Sequence, residues 1–148
     1  RDGLVYVFSG MGSMSAIRPG GKGDVDKTHV AWTRRRLVPK KSSPLYLNGL
    51  LYMTSDEGVV SCNDPKTGDI LWAERLGGKG QYAASPIHAK GRIYFSSSEG
   101  DFPVLEAGKE FKVLARNKLD AGCMASPAVV GDALVIRTKT HVYRFGKN

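Results

Sequence analysis

A repeat of about 41 residues constrains this chain more than any other feature of its sequence. The dipeptide Ser43-Pro44 opens a segment that recurs at Ser85-Pro86 and again at Ser126-Pro127, 42 and then 41 residues apart. Each copy continues with a short apolar run, a tight turn and a second apolar run. A period in this range is typical of a β-propeller, in which each repeat is one four-stranded blade.

The turn residues within each repeat predict an all-β chain of about fourteen short strands. Asn48-Gly49 is the clearest hairpin turn, because both residue types accept the positive φ that a two-residue turn requires. No apolar pattern of helical period has a useful length. We predict second strands at Leu50–Thr54, Arg92–Ser96 and Ala133–Thr138, third strands at Val59–Asn63, Phe102–Glu106 and His141–Phe145, and fourth strands at Ile70–Leu76 and Phe111–Leu119.

The repeat divides the chain into four units, approximately 1–38, 39–78, 79–120 and 121–148, which we assign to one partial propeller domain of about three and a half blades. The first unit lacks its first strand, and the last stops after its third. Both partial units contain second and third strands, so they cannot merge into one blade. Propellers protect their strand edges by closing a ring. We therefore expect a second polypeptide, either an upstream part of the same protein or another copy, to complete it.

The hairpin after the third strand of the second unit carries a recognisable motif. The segment 62–72 reads Cys-Asn-Asp-Pro-Lys-Thr-Gly-Asp-Ile-Leu-Trp, in which Asp64, Thr67 and Gly68 form the turn and Trp72 follows on the outer strand. It resembles the tryptophan-docking motif of pyrroloquinoline-quinone-type (PQQ-type) β-propellers. An Asp at the start of a turn and a Gly after it favour a tight hairpin. The Trp would then pack against the neighbouring blade.

Matching positions in the flanking units are interpreted as Trp32 and Leu114, so the resemblance extends over essentially the whole chain. It implies the propeller fold of bacterial exported repeat proteins, including the outer-membrane-assembly lipoprotein propeller. It further implies export to the periplasm or the cell surface and a non-catalytic scaffold or protein-binding role. Residues Arg1–Leu4 do not have the layout of a signal peptide, and we expect the chain to begin inside a longer one.

A quinoprotein oxidoreductase is the alternative that the family resemblance leaves open. Such an enzyme would carry an adjacent Cys-Cys pair over its cofactor, acidic and amide calcium ligands and a catalytic Asp. Cys62 and Cys123 stand far apart in the sequence, and no acidic cluster stands out. His29, His88 and His141 lie at different blade positions without metal-ligand spacing. We therefore predict no catalytic residue, no metal and no cofactor in this chain.

The loops that enter each first strand, and those between second and third strands, share one face around the channel of a propeller. Function usually resides in loops on a rigid scaffold, and the alternative interpretation is that these are ordinary solvated loop residues. We define the candidate binding face as the loop residues at these positions: Lys40, Lys41, Asp56, Glu57, Lys79, Gln81, Tyr82, Glu99 and Met124.

The charge of the chain suggests a third hypothesis. Lys and Arg number 22 against 14 Asp and Glu, a net charge of +8 that could attract an acidic glycan or another polyanion. The basic residues are spread along the sequence, and the densest group, Arg34–Arg36, lacks the interleaved aromatic residues of a base-stacking surface. Nucleic acid is therefore a disfavoured partner. No apolar run is long enough to span a bilayer.

Overall fold

The computed structural model describes residues 3–9 and 11–146, so the predicted outer limits of the domain, residues 1 and 148, lie outside the described part. Fourteen strands form four antiparallel sheets of three, four, four and three strands, and no helix occurs in the described ranges. This confirms the predicted all-β partial propeller. In the same ranges, no helix is long and apolar enough to cross a membrane.

We number the sheets blade 1 to blade 4 in chain order. Blade 1 contains β1 (Val5–Ser9), β2 (Ser13–Ile17) and β3 (Val30–Arg34). Blade 2 contains β4 (Leu45–Leu47), β5 (Leu50–Thr54), β6 (Val59–Asn63) and β7 (Ile70–Arg75). Blade 3 contains β8 (Ile87–Ala89), β9 (Arg92–Tyr94), β10 (Asp101–Glu106) and β11 (Val113–Lys118). Blade 4 contains β12 (Ala128–Val130), β13 (Ala133–Arg137) and β14 (Val142–Phe145).

Strand β9 ends at Tyr94, two residues earlier than predicted, and its partner strand explains why. The next residue, Phe95, donates its N–H to the carbonyl of Pro103 at 3.1 Å. Pro103 has no N–H with which to return a ladder hydrogen bond, because its nitrogen belongs to the ring. The pairing therefore stops after Tyr94.

Alternate side chains of the second strand in each blade pack against different neighbouring blades, because successive side chains in a strand point to opposite faces of the sheet. Leu50 and Tyr52 of β5 pack in one buried cluster with Ile93 of blade 3. The intervening residues Leu51 and Met53 pack with blade 1 residues in a second cluster. Each blade thus has a forward face, toward the next blade in the chain, and a backward face, toward the preceding one.

The serine of each Ser-Pro pair links the innermost parts of consecutive blades. The backbone N–H of Ser43 donates to the hydroxyl of Ser85 at 2.9 Å, and the N–H of Ser85 donates to the hydroxyl of Ser126 at 3.0 Å. The repeated dipeptide therefore has two roles. Its Pro immediately precedes the first strand, and its Ser accepts a hydrogen bond from the preceding blade.

Tryptophan side chains link the outer parts of the first three blades. The indole N–H of Trp32 donates to the carbonyl of Pro65 at 3.0 Å, and that of Trp72 donates to the carbonyl of Gly108 at 3.4 Å. Both carbonyls belong to the hairpin of the next blade. Both indoles are half-buried.

The hairpin that receives Trp32 is shaped by the motif residues that precede β7. One carboxylate oxygen of Asp64 accepts the N–H groups of Lys66 at 2.7 Å and Thr67 at 3.4 Å. The Thr67 hydroxyl donates to Asp69 at 2.7 Å. Gly68 follows with a φ of +78°, a left-handed conformation that favours glycine. The side chains thus fix a turn whose outer surface lies against the preceding blade.

The position that corresponds to these tryptophans in blade 3 is Ala115, and the interpretation of Leu114 was wrong. A β-bulge recurs in each pairing of third and fourth strands. The pairs immediately before the bulge are Ala16 with Trp32, Cys62 with Trp72, and Val104 with Ala115. Leu114 lies one residue out of register and is 42% exposed. Blade 3 therefore has a methyl group where blades 1 and 2 have an indole.

Candidate binding face

Backbone hydrogen bonds join the loops of the candidate binding face into a continuous band. The N–H of Tyr82, in the loop entering blade 3, donates to the carbonyl of Asp56 in blade 2 at 3.0 Å. One repeat later, the N–H of Cys123 donates to the carbonyl of Ser97 at 3.0 Å. Each entering loop thus lies against the turn between the second and third strands of the preceding blade.

Each entering loop also bonds the corresponding turn of its own blade. The N–H of Ser98 donates to the carbonyl of Gln81 at 2.8 Å, and the N–H of Lys139 donates to the carbonyl of Gly122 at 3.0 Å. Gly122 is held so closely that a Cβ there would lie 1.5 Å from the Ser98 carbonyl oxygen. The loops are therefore held by the backbone, and their exposed side chains project from a fixed frame.

Lys41, Asp56 and Gln81 meet where the loops of blades 2 and 3 adjoin. The ammonium nitrogen of Lys41 donates to the Gln81 amide oxygen at 2.8 Å and lies 3.7 Å from the Asp56 carboxylate. The other carboxylate oxygen of Asp56 accepts the backbone N–H of Lys40 at 3.3 Å. The Asp56 side chain is only 10% exposed, against 48% for Lys41, so the exposed ammonium group is positioned by a buried carboxylate.

Tyr82 does not lie on the binding face, contrary to the sequence-based expectation. It is 2% exposed and belongs to the core between blades 2 and 3. Its hydroxyl donates to the carbonyl of Gly77 at 2.9 Å, and burial raises its pKa to about 12. A Cβ at Gly58 would lie 2.7 Å from its ring. Tyr82 and the buried Asp56 therefore support the face from beneath and are not available to a partner.

The remaining candidates are exposed. Met124 is 57% exposed, a high fraction for an apolar side chain. Glu57 has a pKa below its usual value, because its own backbone N–H and the Ser55 hydroxyl bond its carboxylate. Glu99 lies against the loop that follows Lys79, since a Cβ on Gly80 would come within 2.6 Å of its Cγ. The exposed members of the face are Lys40, Lys41, Glu57, Lys79, Gln81, Glu99 and Met124.

The cysteines and histidines are dispersed over the blades. Within residues 3–9 and 11–146, no group of three His, Cys, Asp or Glu side chains is placed to hold a metal ion. Cys62 and Cys123 are free and buried, and burial raises the pKa of both thiols, that of Cys62 to about 11. His88 accepts the N–H of Gly91 at 3.1 Å within its own turn.

Sequence reasoning missed a polar cluster where blade 3 leads into blade 4. The Asp120 carboxylate accepts hydrogen bonds from Tyr143 at 2.6 Å and Thr140 at 2.8 Å. The ring nitrogen Nδ1 of His141 lies 2.9 Å from the same carboxylate. The only sequence signal was the polar residues Thr140, His141 and Tyr143 at the start of one strand, which does not identify a partner in the preceding linker.

A family model described as outer membrane protein assembly factor BamB matches residues 23–139. Among curated proteins, none matches the sequence significantly. The crystal structure of BamB from Moraxella catarrhalis superposes with a TM-score of 0.74 at 16% identity, covering 97% of this chain and 42% of that one. The chain therefore spans less than half the length of that relative.

Two further solved structures share the fold. The crystal structure of the computationally designed Ika4 protein has a TM-score of 0.75 at 12% identity, covering 99% of this chain and 86% of that one. A europium-containing methanol dehydrogenase has a TM-score of 0.60 at 16% identity, covering 78% of this chain and 23% of that one. At these identities the likeness establishes the fold alone.

Proposed function

The chain belongs to the family described as outer membrane protein assembly factor BamB, and from this premise we propose that it is a non-catalytic scaffold module that binds a protein partner through the candidate binding face. The module would belong to an exported bacterial protein and act in the periplasm or at the cell surface. The observation that carries the proposal is the backbone-bonded band of loops. A surface fixed before binding loses less conformational entropy when a partner docks.

The exposed side chains of this face suit a polar protein surface. They combine three ammonium groups, two carboxylates, one amide and the apolar side chain of Met124. Mixed charges give orientation and specificity to an encounter, while an exposed apolar side chain gains from burial.

Capture from a bacterial envelope extract tests the proposal. The wild-type chain and a face variant with Lys40→Glu, Lys79→Glu and Met124→Ala are immobilised separately. A control variant carries Lys66→Glu and Lys109→Glu in the hairpins on the opposite side of the blades. We expect the captured partner to be lost with the face variant and retained with the control. Equal capture by both variants would refute the assignment of the face.

The two ends of the partial ring support a second part of the proposal, that another polypeptide completes the propeller. Val5 and Val7 on the backward face of blade 1 are 51% and 50% exposed. Val130 and Val142 on the forward face of blade 4 are 62% and 70% exposed. The equivalent faces between blades 1 to 3 are buried in the core clusters. An upstream segment of the same protein or another copy would bury these end faces.

Sedimentation velocity tests completion of the ring. We expect the isolated chain to associate as its concentration rises, and Val130→Lys with Val142→Lys to weaken that association. Leu71→Lys, on an outer strand and 46% exposed, is the matched control. A monomer at every concentration, with blades 1 and 4 both ordered by NMR, would contradict the proposal.

A second candidate function is that of a C-terminal part of a quinoprotein oxidoreductase. The likeness to the methanol dehydrogenase favours it, although that likeness extends only to the fold. Reduction of an artificial electron-accepting dye by the purified chain, with pyrroloquinoline quinone, calcium and an alcohol supplied, would favour this candidate over the scaffold role.

A further inference from the structure

One position on the candidate binding face departs from the pattern of the repeat. Three residues before the serine of each Ser-Pro pair, the loops entering blades 3 and 4 have Tyr82 and Cys123, which are 2% and 1% exposed. The loop entering blade 2 has Lys40 at this position, and it is exposed. Residues that depart from the pattern of their fold are expected mainly at functional or strained sites. A lysine where the other repeats bury a core residue is therefore a candidate for recognition.

The glycine of the adjoining turn shows that Lys40 and Tyr82 are equivalent in space as well as in sequence. Gly58 immediately precedes β6, and a Cβ there would lie 2.7 Å from the Tyr82 ring. Gly12 immediately precedes β2, and a Cβ there would lie 3.8 Å from Cε of Lys40. The methylene stem of Lys40 thus crosses the turn of blade 1 as the tyrosine ring crosses the turn of blade 2. A lysine can cover backbone with its stem in this way while its ammonium group stays in water.

Lys41 places a second ammonium group beside the first. Its Nζ donates to the Gln81 amide oxygen at 2.8 Å and lies 3.7 Å from the Asp56 carboxylate. An ammonium group has three donors, so these two contacts leave one for a bound group. The Asp56 carboxylate also accepts the backbone N–H of Lys40, so one buried acid orients both residues.

The backbone ahead of the two lysines is held in an unusual conformation. Leu37 has a φ of +54°, which is uncommon for a residue other than glycine. Val38 is 6% exposed and packs in the core cluster between blades 1 and 2, and Pro39 is fully buried. A strained residue persists only where the surrounding structure imposes it, and such residues cluster at binding sites. The dibasic pair is therefore presented by a loop that is fixed from beneath.

The loop entering blade 2 has an excess of positive charge. Arg35 and Arg36 precede the dibasic pair and are exposed. Within the described residues, no acid lies at ion-pair distance from Arg35, Arg36 or Lys40. Burial, and then the charge of Arg36, lowers the pKa of Arg34, which shows that like charges adjoin without compensation. This part of the face therefore attracts anionic groups.

The carboxylates on the same face indicate which kind of anionic partner fits. Bonds from its own backbone N–H and the Ser55 hydroxyl, and then the charges of Lys40 and Arg75, lower the pKa of Glu57. An exposed carboxylate thus stands close to Lys40, and Glu99 is exposed on the next blade. A glycan or nucleic acid with an anion on every unit would be repelled by these carboxylates. A peptide can place acids at the lysines and neutral or basic residues at the glutamates.

We propose that Lys40 and Lys41 bind the carboxylates of an acidic peptide segment in the protein partner, with Arg35 and Arg36 attracting that segment to the loop. The inference rests on the proposed function, and it names the chemistry that the candidate binding face recognises. It also assigns recognition to the junction of blades 1 and 2, where the repeat is broken, rather than to the face as a whole.

A defined acidic peptide tests this proposal. The probe is a fluorescein-labelled peptide of glutamate, glycine and serine, and its neutral counterpart has glutamine in place of each glutamate. Titration into the full 148-residue chain is followed by fluorescence anisotropy and NMR. We expect saturable binding of the acidic peptide, with chemical-shift changes centred on Lys40, Lys41 and Gln81, and no binding of the neutral peptide. Added salt should weaken the binding, because exposed charges are screened.

Lys40→Gln combined with Lys41→Gln removes the two charges and keeps side chains of similar length. This glutamine variant should bind the acidic peptide about tenfold more weakly, since each exposed charge pair contributes roughly threefold. The matched control is Lys66→Gln with Lys109→Gln, in exposed hairpins on the opposite side of the blades. It removes the same net charge and should leave the affinity unchanged, which separates a site from general attraction to a basic chain.

A second variant separates the loss of charge from a loss of folding. Lys40→Tyr with Lys41→Ala installs the residues that the loop entering blade 3 has at these positions, Tyr82 and Ala83. Gly12 leaves room for the ring, as Gly58 does one repeat later. The variant should melt at the wild-type temperature or above and lose affinity for the peptide as the glutamine variant does.

Three outcomes would overturn the inference. They are equal affinity for the acidic and neutral peptides, unchanged affinity of the glutamine variant, and an equal loss of affinity in the control. Binding of heparin that the glutamine variant abolishes, without binding of the acidic peptide, would also overturn it and assign the lysines to an acidic glycan. If the acidic peptide does not bind while the face variant still loses its captured partner, the proposed scaffold function stands and only this inference falls.

Discussion

The indole of Trp32 lies directly over Gly68 of the next blade, so closely that a Cβ on this glycine would be 2.7 Å from the ring. Gly68 also has a φ of +78°. Glycine is therefore required twice at this position, once by the turn and once by the neighbouring blade. The contact explains why the docking motif contains a glycine as well as a tryptophan, since each residue belongs to a different side of the interface.

Gly68→Ala should destabilise the chain by about 2 kcal/mol or more, because alanine is strained at a positive φ and displaces the indole. Gly49→Ala is the control. Its φ is +73°, but a Cβ there would meet nothing within 4 Å, so only the backbone strain of about 1 kcal/mol remains. Urea unfolding measures both. If both variants lost the same free energy of unfolding, the contact with Trp32 would contribute nothing to stability.

Trp72→Ala should destabilise the chain by about 3 kcal/mol, near the lower end of values for large aromatic side chains, because the indole is half-buried. The substitution removes the ring contact with Phe111, at 5.4 Å between centroids, and the hydrogen bond to Gly108. Leu71→Ala, on the adjacent exposed position, should cost less than about 1 kcal/mol. Denaturant unfolding measures the stability of both variants. A larger loss of stability in Leu71→Ala than in Trp72→Ala would contradict this assignment.

The fold followed from the sequence because the repeat places turn residues and apolar runs at matching positions three times. Strands β5 and β6 have the predicted bounds, since Asn48-Gly49 and the turn at Gly58 define their ends. Leu114 was misassigned because the hairpin between the third and fourth strands is one residue longer in blade 3 than in blade 2, so that Val104 pairs with Ala115 where Cys62 pairs with Trp72. One extra residue in a hairpin leaves no clear mark in a single sequence, so the alignment of Ala115 with the tryptophans required the structure.

The candidate binding face was predicted only in part. The positions of its loops follow from strand order alone, and Lys41, Asp56 and Gln81 do come together. Tyr82 was placed among the exposed residues because loop position does not reveal burial. Its ring is covered because Gly58 leaves room for it, a contact between residues of two different blades.

Neither cysteine should react with a thiol reagent in the native chain at mildly alkaline pH. Both are buried, and the raised pKa of each thiol keeps it protonated, whereas the thiolate is the reactive form. Cys123 should react before Cys62 as urea is added, because blade 4 packs through one face only and opens first. Pulse labelling of Cys62→Ser and Cys123→Ser measures the two rates. Faster labelling of Cys62 would contradict this order of opening.

Asp120 should make the junction of blades 3 and 4 sensitive to acid. Hydrogen bonds from Tyr143, then Thr140 and His141, lower the pKa of its carboxyl from an ordinary 3.8 to about 2. Because the pKa in the folded chain is below that in the unfolded chain, the carboxylate stabilises the fold above about pH 4. That contribution is lost as the pH falls toward 2. Asp120→Asn should therefore show a smaller fall in urea midpoint across this window than the wild type.

Tyr143→Phe tests the cause of the lowered pKa. The phenol hydroxyl donates the shortest hydrogen bond to Asp120, at 2.6 Å, so its removal should raise the Asp120 titration midpoint toward the ordinary value. Carboxyl carbon NMR measures this midpoint directly. Asp132, whose pKa is lowered by the hydrogen bond and charge of Lys90, is the internal control and should not move. An unchanged Asp120 midpoint in Tyr143→Phe would show that this hydrogen bond does not set the acid response, leaving Thr140 and His141 as its source.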